Sequence, residues 1–421
     1  MITSNYTYSG MTISEHDFIV PLSYNDPDGE NISIFAREIY SSRSLAADLP
    51  YLVFFQGGPG YESPRPITNS GWIKRAIQDY RVLLLDQRGT GRSSVATFQT
   101  LKQLKSQKMA EWLQQFRADN IVRDAEMIRK ALIGSEKWSI LGQSFGGFCA
   151  TNYLSFYPDG LKEVYITGGL PPLTAHPDDI YRRTYKRVEE KNKLFYSIFP
   201  DAHDYSRRIA DYLLNHDVHL PNGDPLTVER FQQLGLQLGF SDGMATLNFL
   251  LENAFASEKL SYSFLKGLMC LQSFDTNPIF TILHEACYAQ EFATNWSAHR
   301  IRKEFPQFEI EQKDNFYFTG EMLYPWMLDE FQTLKPLKRA ANLLAEKTDW
   351  PILYDDKILT TNNVPVAAAV YTNDMYVDRD YSIETANIIK GIEIWETNEY
   401  EHNGLRSDGK YVLDLLFSRL S

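Results

Sequence analysis

Cysteine is scarce in this 421-residue chain, with only Cys149, Cys270 and Cys287. Three thiols at these spacings form neither a disulfide framework nor a metal pattern, so no structural metal is expected. Long apolar runs are missing too. The longest, YLVFF and VPVAAAV, fall far short of the roughly 20 residues a membrane-spanning helix needs. No cluster of Lys and Arg breaks up a chain whose formal net charge is -12. Nucleic acid is therefore not expected as a partner, because that binding rests on cations neutralising phosphates. The opening residues MITSNYTYSG lack the basic and apolar stretches of a secretory signal. The expectation is a cytoplasmic protein with no membrane attachment, its oligomeric state left open.

What the chain does have is core material. Hydrophobic residues make up 43% and charged residues 23%, the balance of a soluble globular protein. Aromatics reach 14%, a surplus that could pack a core or line an apolar cleft. YLVFF (51 to 55) and RVLLLD (81 to 86) are continuous apolar runs, as strands buried on both faces should be. ENISIFAREIY (30 to 40) alternates like a half-exposed antiparallel strand, and DNIVRDAEMIRKALI (119 to 133) repeats apolar residues at helical spacing. KWSILG (137 to 142) and EVYITGG (163 to 169) are further strands around a helical FCATNYLSFYP. Such alternation implies a mostly parallel sheet with helices on both sides. From 173 to about 345 the pattern turns helical; strands then resume at VPVAAAVY (364 to 371) and GIEIWE (391 to 396), before a last helix. The expected organisation is a core in two segments, 1–172 and 346–421, interrupted by a mainly helical cap at 173–345.

The chemistry centres on SILGQSFGGFCA (139 to 150), where Ser144 stands in a G-x-S-x-G pattern. The pentapeptide alone carries little weight, since chance supplies it to about one chain in ten of this length. Its context carries more. A strand precedes Ser144 and a helix follows, so the serine falls on a sharp turn that lifts its hydroxyl clear of the sheet. A serine hydroxyl needs a base, and on such a core the partners follow in the order serine, acid, histidine. TNDMYVD places Asp374 just past strand 364–371, with Asp378 and Asp380 as nearby competitors. TNEYEHNG places His402 after strand 391–396, and no other histidine lies beyond Asp374. The oxyanion of acyl transfer needs preorganised N–H donors. The backbone of Phe145 is one candidate; Gly57 and Gly58, in the QGGPGYE loop after strand 51–55, are the others.

Together QGGPG (56 to 60), DQRGTGRSS (86 to 94) and GQSFGG (142 to 147) resemble the proline iminopeptidase family of α/β-hydrolases. The resemblance implies an α/β-hydrolase fold with an inserted helical cap and a serine aminopeptidase that needs no cofactor. Short peptides with a free N-terminal proline would be its substrates. The family usually opens its first motif with His, whereas this chain has Gln56. In such proteins DQRG is a structural turn, so Asp86 and Arg88 are not expected to be catalytic. TILHEACYAQ (281 to 290) and NFYFTGEMLYPWM (315 to 327) are similar to cap segments of the larger members. Family cap glutamates hold the substrate ammonium, which by this resemblance assigns Glu285 and Glu321 to substrate binding. Two other readings use the same core: an esterase or amide or lactone hydrolase, and a binding protein without catalysis.

Overall fold

Alternation along the central strands sets the architecture. In the computed structural model, which describes residues 2–45, 49–310 and 316–420, strand β4 is Tyr51–Phe55 and every residue of it is buried. Leu52 and Phe54 point into one apolar cluster, while Val53 and Phe55 point into another on the opposite face. β5 (Arg81–Leu85) divides its side chains the same way, with Val82 and Leu84 against Leu83 and Leu85. A strand with two apolar faces is stable only between two layers, and helices supply both.

Among the described residues the main sheet has nine strands. β1 (Ile2–Tyr8), β2 (Met11–Pro21) and β3 (Asn31–Ser41) form an antiparallel edge, and β3 pairs antiparallel with β5. From β5 the order runs through β4, β6 (Trp138–Gln143) and β7 (Leu161–Thr167), all parallel. Two late strands, Val366–Tyr371 and Ile392–Thr397, complete the parallel part beside β7. Helices Ala118–Ile133 and Phe145–Phe156 cover one face; Gly71–Ala76 and Gly409–Leu420 cover the other. This is the α/β-hydrolase arrangement.

The β1–β2 hairpin was not foreseen, for a physical reason. β1 is exposed along its whole length, and β2 buries Ser14 and His16 where an apolar alternation would be expected. His16 Nε2 lies 3.0 Å from Glu38 Oε2, and Glu38 also accepts from Tyr51 and Arg81. A paired polar cluster replaces apolar contacts there, so periodicity does not reveal the strand.

Among the described residues no strand of the main sheet falls between Thr167 and Val366. That interval holds helices such as Pro177–Ile198, Asp201–Asn215 and Tyr262–Leu271, and a small hairpin of β8 (Phe255–Ala256) and β9 (Lys259–Leu260). The late sheet strands are accordingly β10 (Val366–Tyr371) and β11 (Ile392–Thr397). One apolar cluster runs from Phe55 and Ile140 of the sheet to Tyr185, Phe231 and Phe318 of the insertion. Each large apolar side chain fully buried in it contributes about 1.5–3 kcal/mol. The insertion is a seated cap.

Candidate active site

Ser144 sits between β6 and helix Phe145–Phe156 with φ 55° and ψ -125°. Positive φ at a residue with a side chain costs about 1–3 kcal/mol and persists only where the surroundings fix it. Here the Ser144 N–H donates to Thr167 O at 3.0 Å, and Ser144 O accepts from Gly147 N at 2.7 Å. Gly146 explains the pattern's second glycine, because a Cβ there would stand 2.0 Å from Phe55 O. The turn is held from β7 on one side and packed onto β4 on the other.

β4 leads into the second half of the site. A Cβ on Gly57 would lie 2.9 Å from Ser144 Cβ and 2.7 Å from Gln143 Oε1, so only glycine lets this backbone come so near the serine. The N–H groups of Gly57 and Gly58 have no hydrogen-bond partner among the described residues. Phe145 opens its helix, where first-turn N–H groups are unpaired within the helix. These are donors of the kind an oxyanion needs, and Gly57 and Gly58 line the same cavity as Ser144. Gln56 lines the same cavity, and its carbonyl accepts from Gln87 Nε2 at 3.0 Å.

The candidate acid and base, Asp374 and His402, follow the ends of β10 and β11. Asp374 is 2% exposed. Its Oδ1 accepts from the N–H groups of Tyr376 at 2.8 Å and Val377 at 3.1 Å, which leaves Oδ2 for His402 Nδ1 at 2.6 Å. The Tyr376 ring stands edge-on to the imidazole, 4.8 Å between centroids. Burial pushes the His402 imidazole down, but the charge and hydrogen bond of Asp374, helped by Glu321, outweigh it and the net is upward. The competitors lie elsewhere: Asp378 caps helix Arg379–Ile388 and pairs with Arg183, and Asp380 pairs with Arg183 and Arg379.

Ser144 and His402 line a cavity of about 740 Å³ roofed by cap residues Leu236, Phe240, Phe280 and Glu321. The DQRG turn supports its wall. Arg88 is bound through Nε and Nη2 to Asp124 at 2.7 and 2.6 Å, while Asp86 accepts from Ser63 N, Arg92 N and Arg65.

The two cap glutamates part company. Glu321 lines the cavity, in a segment whose first residue, Asn315, lies outside the described residues. Its Oε2 is 3.3 Å from His284 Nε2, and Oε1 has no hydrogen-bond partner among the described residues. Glu285, which the resemblance assigns to substrate binding with Glu321, is not among the residues that line the cavity. Its oxygens accept the N–H groups of Ser297 and Ala298, both at 2.9 Å, capping helix Ser297–Ile301. Burial pushes its carboxyl up to about 7 against those donors. The residue that backs Glu321 is its neighbour His284, whose Nδ1 lies 3.3 Å from Tyr181 OH. The motif HEAC contained His284, but spacing alone did not indicate which side of a short turn each residue faces.

Such an arrangement can activate a hydroxyl, stabilise an oxyanion and hold a cation near the reacting carbonyl. Among the described residues no group of three or more His, Cys, Asp or Glu could hold a metal ion. None of their helices is long and apolar enough to cross a membrane.

Comparison with known proteins extends the picture over the whole chain. Residues 50–405 match the family described as the alpha/beta hydrolase fold. A proline iminopeptidase of Aeromonas sobria is 51% identical over 413 residues, 98% of this chain and 97% of that protein. The proline iminopeptidase aneH of Aspergillus aculeatus is 36% identical over 96% of this chain and 93% of that one. A bromoperoxidase structure from Bacillus anthracis aligns at 14% identity with a TM-score of 0.41, covering 96% of this chain and 100% of the other.

Proposed function

Since the chain belongs to the α/β-hydrolases and, within them, to the proline iminopeptidases, we propose that it releases N-terminal proline from short peptides through an acyl-enzyme. Ser144 is the nucleophile, His402 its general base and Asp374 the group that orients the imidazole and stabilises its cation. The N–H of Phe145 and those of Gly57 and Gly58 receive the oxyanion. His402 then protonates the leaving amine, and water completes the cycle by the reverse steps. No cofactor takes part in this scheme.

The observation that carries the reading is Glu321, which shares the cavity of Ser144 and His402. Glu62 is the other carboxylate lining that cavity, and it is paired with Arg65. Among the described residues Glu321 pairs with His284 through Oε2 and its Oε1 has no hydrogen-bond partner, which suits an incoming ammonium. Glu285 acts indirectly, by holding the backbone of 297 and 298. A carboxylate at this place suits a cationic amine better than a neutral ester. We take the cap as 173–345, between core segments 1–172 and 346–421, its role being to close the cleft beyond the first residue. The three cysteines are unpaired, which supports a reducing, cytoplasmic location. Hydrolysis of chromogenic aminoacyl amides measured beside simple esters tests the proposal: prolyl amides should lead, and a clear preference for the esters would refute it.

A further inference from the structure

The loop that carries His402 is held by the cap on three successive residues. Glu401 binds Lys191 of helix Pro177–Ile198, with Nζ 2.5 Å from each carboxylate oxygen. The N–H of His402 donates to Gly239 O at 3.2 Å. Asn403 Oδ1 accepts from both the N–H and the Oγ of Ser241, each at 2.9 Å. Lys191 is 3% exposed, and Glu401 is its one ion-pair partner among the described residues. Among the described residues, Asp374 is the core group that hydrogen-bonds the side chain of His402.

Lys191 is buried while the Glu401 side chain is 22% exposed, so the pair is a poor source of stability because desolvating the lysine consumes much of what the attraction returns. It does fix geometry, since the buried ammonium needs the carboxylate beside it. At Glu401 the geometry in question is that of the adjoining residue, the base itself.

We propose that Lys191, with Ser241 as a second tie, is a positioning residue that aligns His402 with Ser144 from the cap side. The cap then does more than enclose the substrate. Its seating on the core is a condition for the serine to be activated, so an unseated cap leaves a poor nucleophile as well as an open cleft. The inference rests on the roles given above to Ser144 and His402, and not on proline as the substrate.

The test uses the full-length protein and two readouts: the rate at which a fluorophosphonate labels Ser144, and kcat and KM for Pro-β-naphthylamide. Misplacing reacting groups by about 1 Å costs up to roughly 100-fold, so Lys191→Met should slow labelling and kcat by about tenfold. KM should stay within about twofold, because the lost alignment matters mainly in the transition state. Lys191→Arg should restore most of the rate. The double variant Lys191→Met/Glu401→Gln should be no slower than Lys191→Met, as expected when two groups act as one tie. Should Lys191→Met fail to fold, Ser241→Ala decides: labelling slowed by about threefold with unchanged KM supports the inference. Labelling at the wild-type rate in Lys191→Met, or in Ser241→Ala where that variant decides, would overturn it. Wild-type protein that labels at Ser144 but leaves Pro-β-naphthylamide intact would refute the proline reading, and the labelling comparison would still decide this one.

Discussion

At Ser144 conformation and chemistry have one origin, a tight turn whose backbone runs at φ 55° between a strand and a helix. Replacing the hydroxyl leaves that turn intact, so Ser144→Ala should fold normally. Its turnover should fall on the order of 10⁶-fold, the loss seen when a triad loses its nucleophile; a tenth of wild-type activity in clean protein would contradict the assignment. Asp374→Asn should lower kcat roughly 10⁴-fold, because an amide favours the wrong imidazole tautomer. The same loss in Asp378→Asn instead would mean the acid is misassigned. The pH dependence has a definite sign. His402 acts as a base only when neutral, and Asp374 and Glu321 raise its proton affinity beyond what burial takes away. Fluorophosphonate labelling, which involves no substrate amine, should therefore rise with pH through a value above the ordinary histidine pKa of about 6.5. In Glu321→Gln that limb should move to lower pH. A limb at or below the ordinary value in the wild type would contradict the geometry.

Among elements, the short turns of the cap separate two glutamates that the sequence presents as a pair. Glu285 holds the N-terminus of helix Ser297–Ile301. Glu285→Gln turns one acceptor into a donor facing an N–H, which should destabilise the protein by about 1–3 kcal/mol. Thermal unfolding should register that change while KM stays nearly constant. Glu321→Gln should do the reverse, raising KM for free-amine substrates about 10- to 100-fold, as fits one charge-assisted hydrogen bond. A larger KM effect at Glu285 than at Glu321 would restore the paired-glutamate reading. The contrast shows where legibility ends. β4, β5, β6 and β10 could be read because a strand buried on both faces must be a continuous apolar run. Ser144 and Asp374 stand out because each lies just past such a strand, and His402 because no other histidine lies beyond Asp374. β2 was hidden by the buried polar residues Ser14 and His16. Lys191 and Glu401 lie 210 positions apart, and nothing local to either marks the other. At Glu285 a one-residue step around a short turn separates capping a helix from facing the cavity, and local spacing does not encode that step.

At the scale of the molecule, the proposed site draws its parts from two places. The sheet provides Ser144, Asp374 and His402 at the ends of parallel strands, together with the N–H donors of Gly57, Gly58 and Phe145. The cap provides Glu321 and the apolar roof of a cavity that also takes in Ser144 and His402. One apolar cluster spanning both makes the cap part of the core. A peptide N-terminus, with an ordinary pKa of about 7.7 to 8.0, enters largely as a cation. In the proposed role Glu321 favours that form, and an uncharged, bulkier N-terminus would leave its Oε1 without the charged donor it is placed to accept. The most direct test compares Pro-β-naphthylamide with its N-acetyl counterpart on the purified protein. The free amine should be cleaved and the acetylated compound should be inert, with Ser144 still labelled by a fluorophosphonate in the same preparation. Comparable kcat/KM for the two compounds would contradict an aminopeptidase.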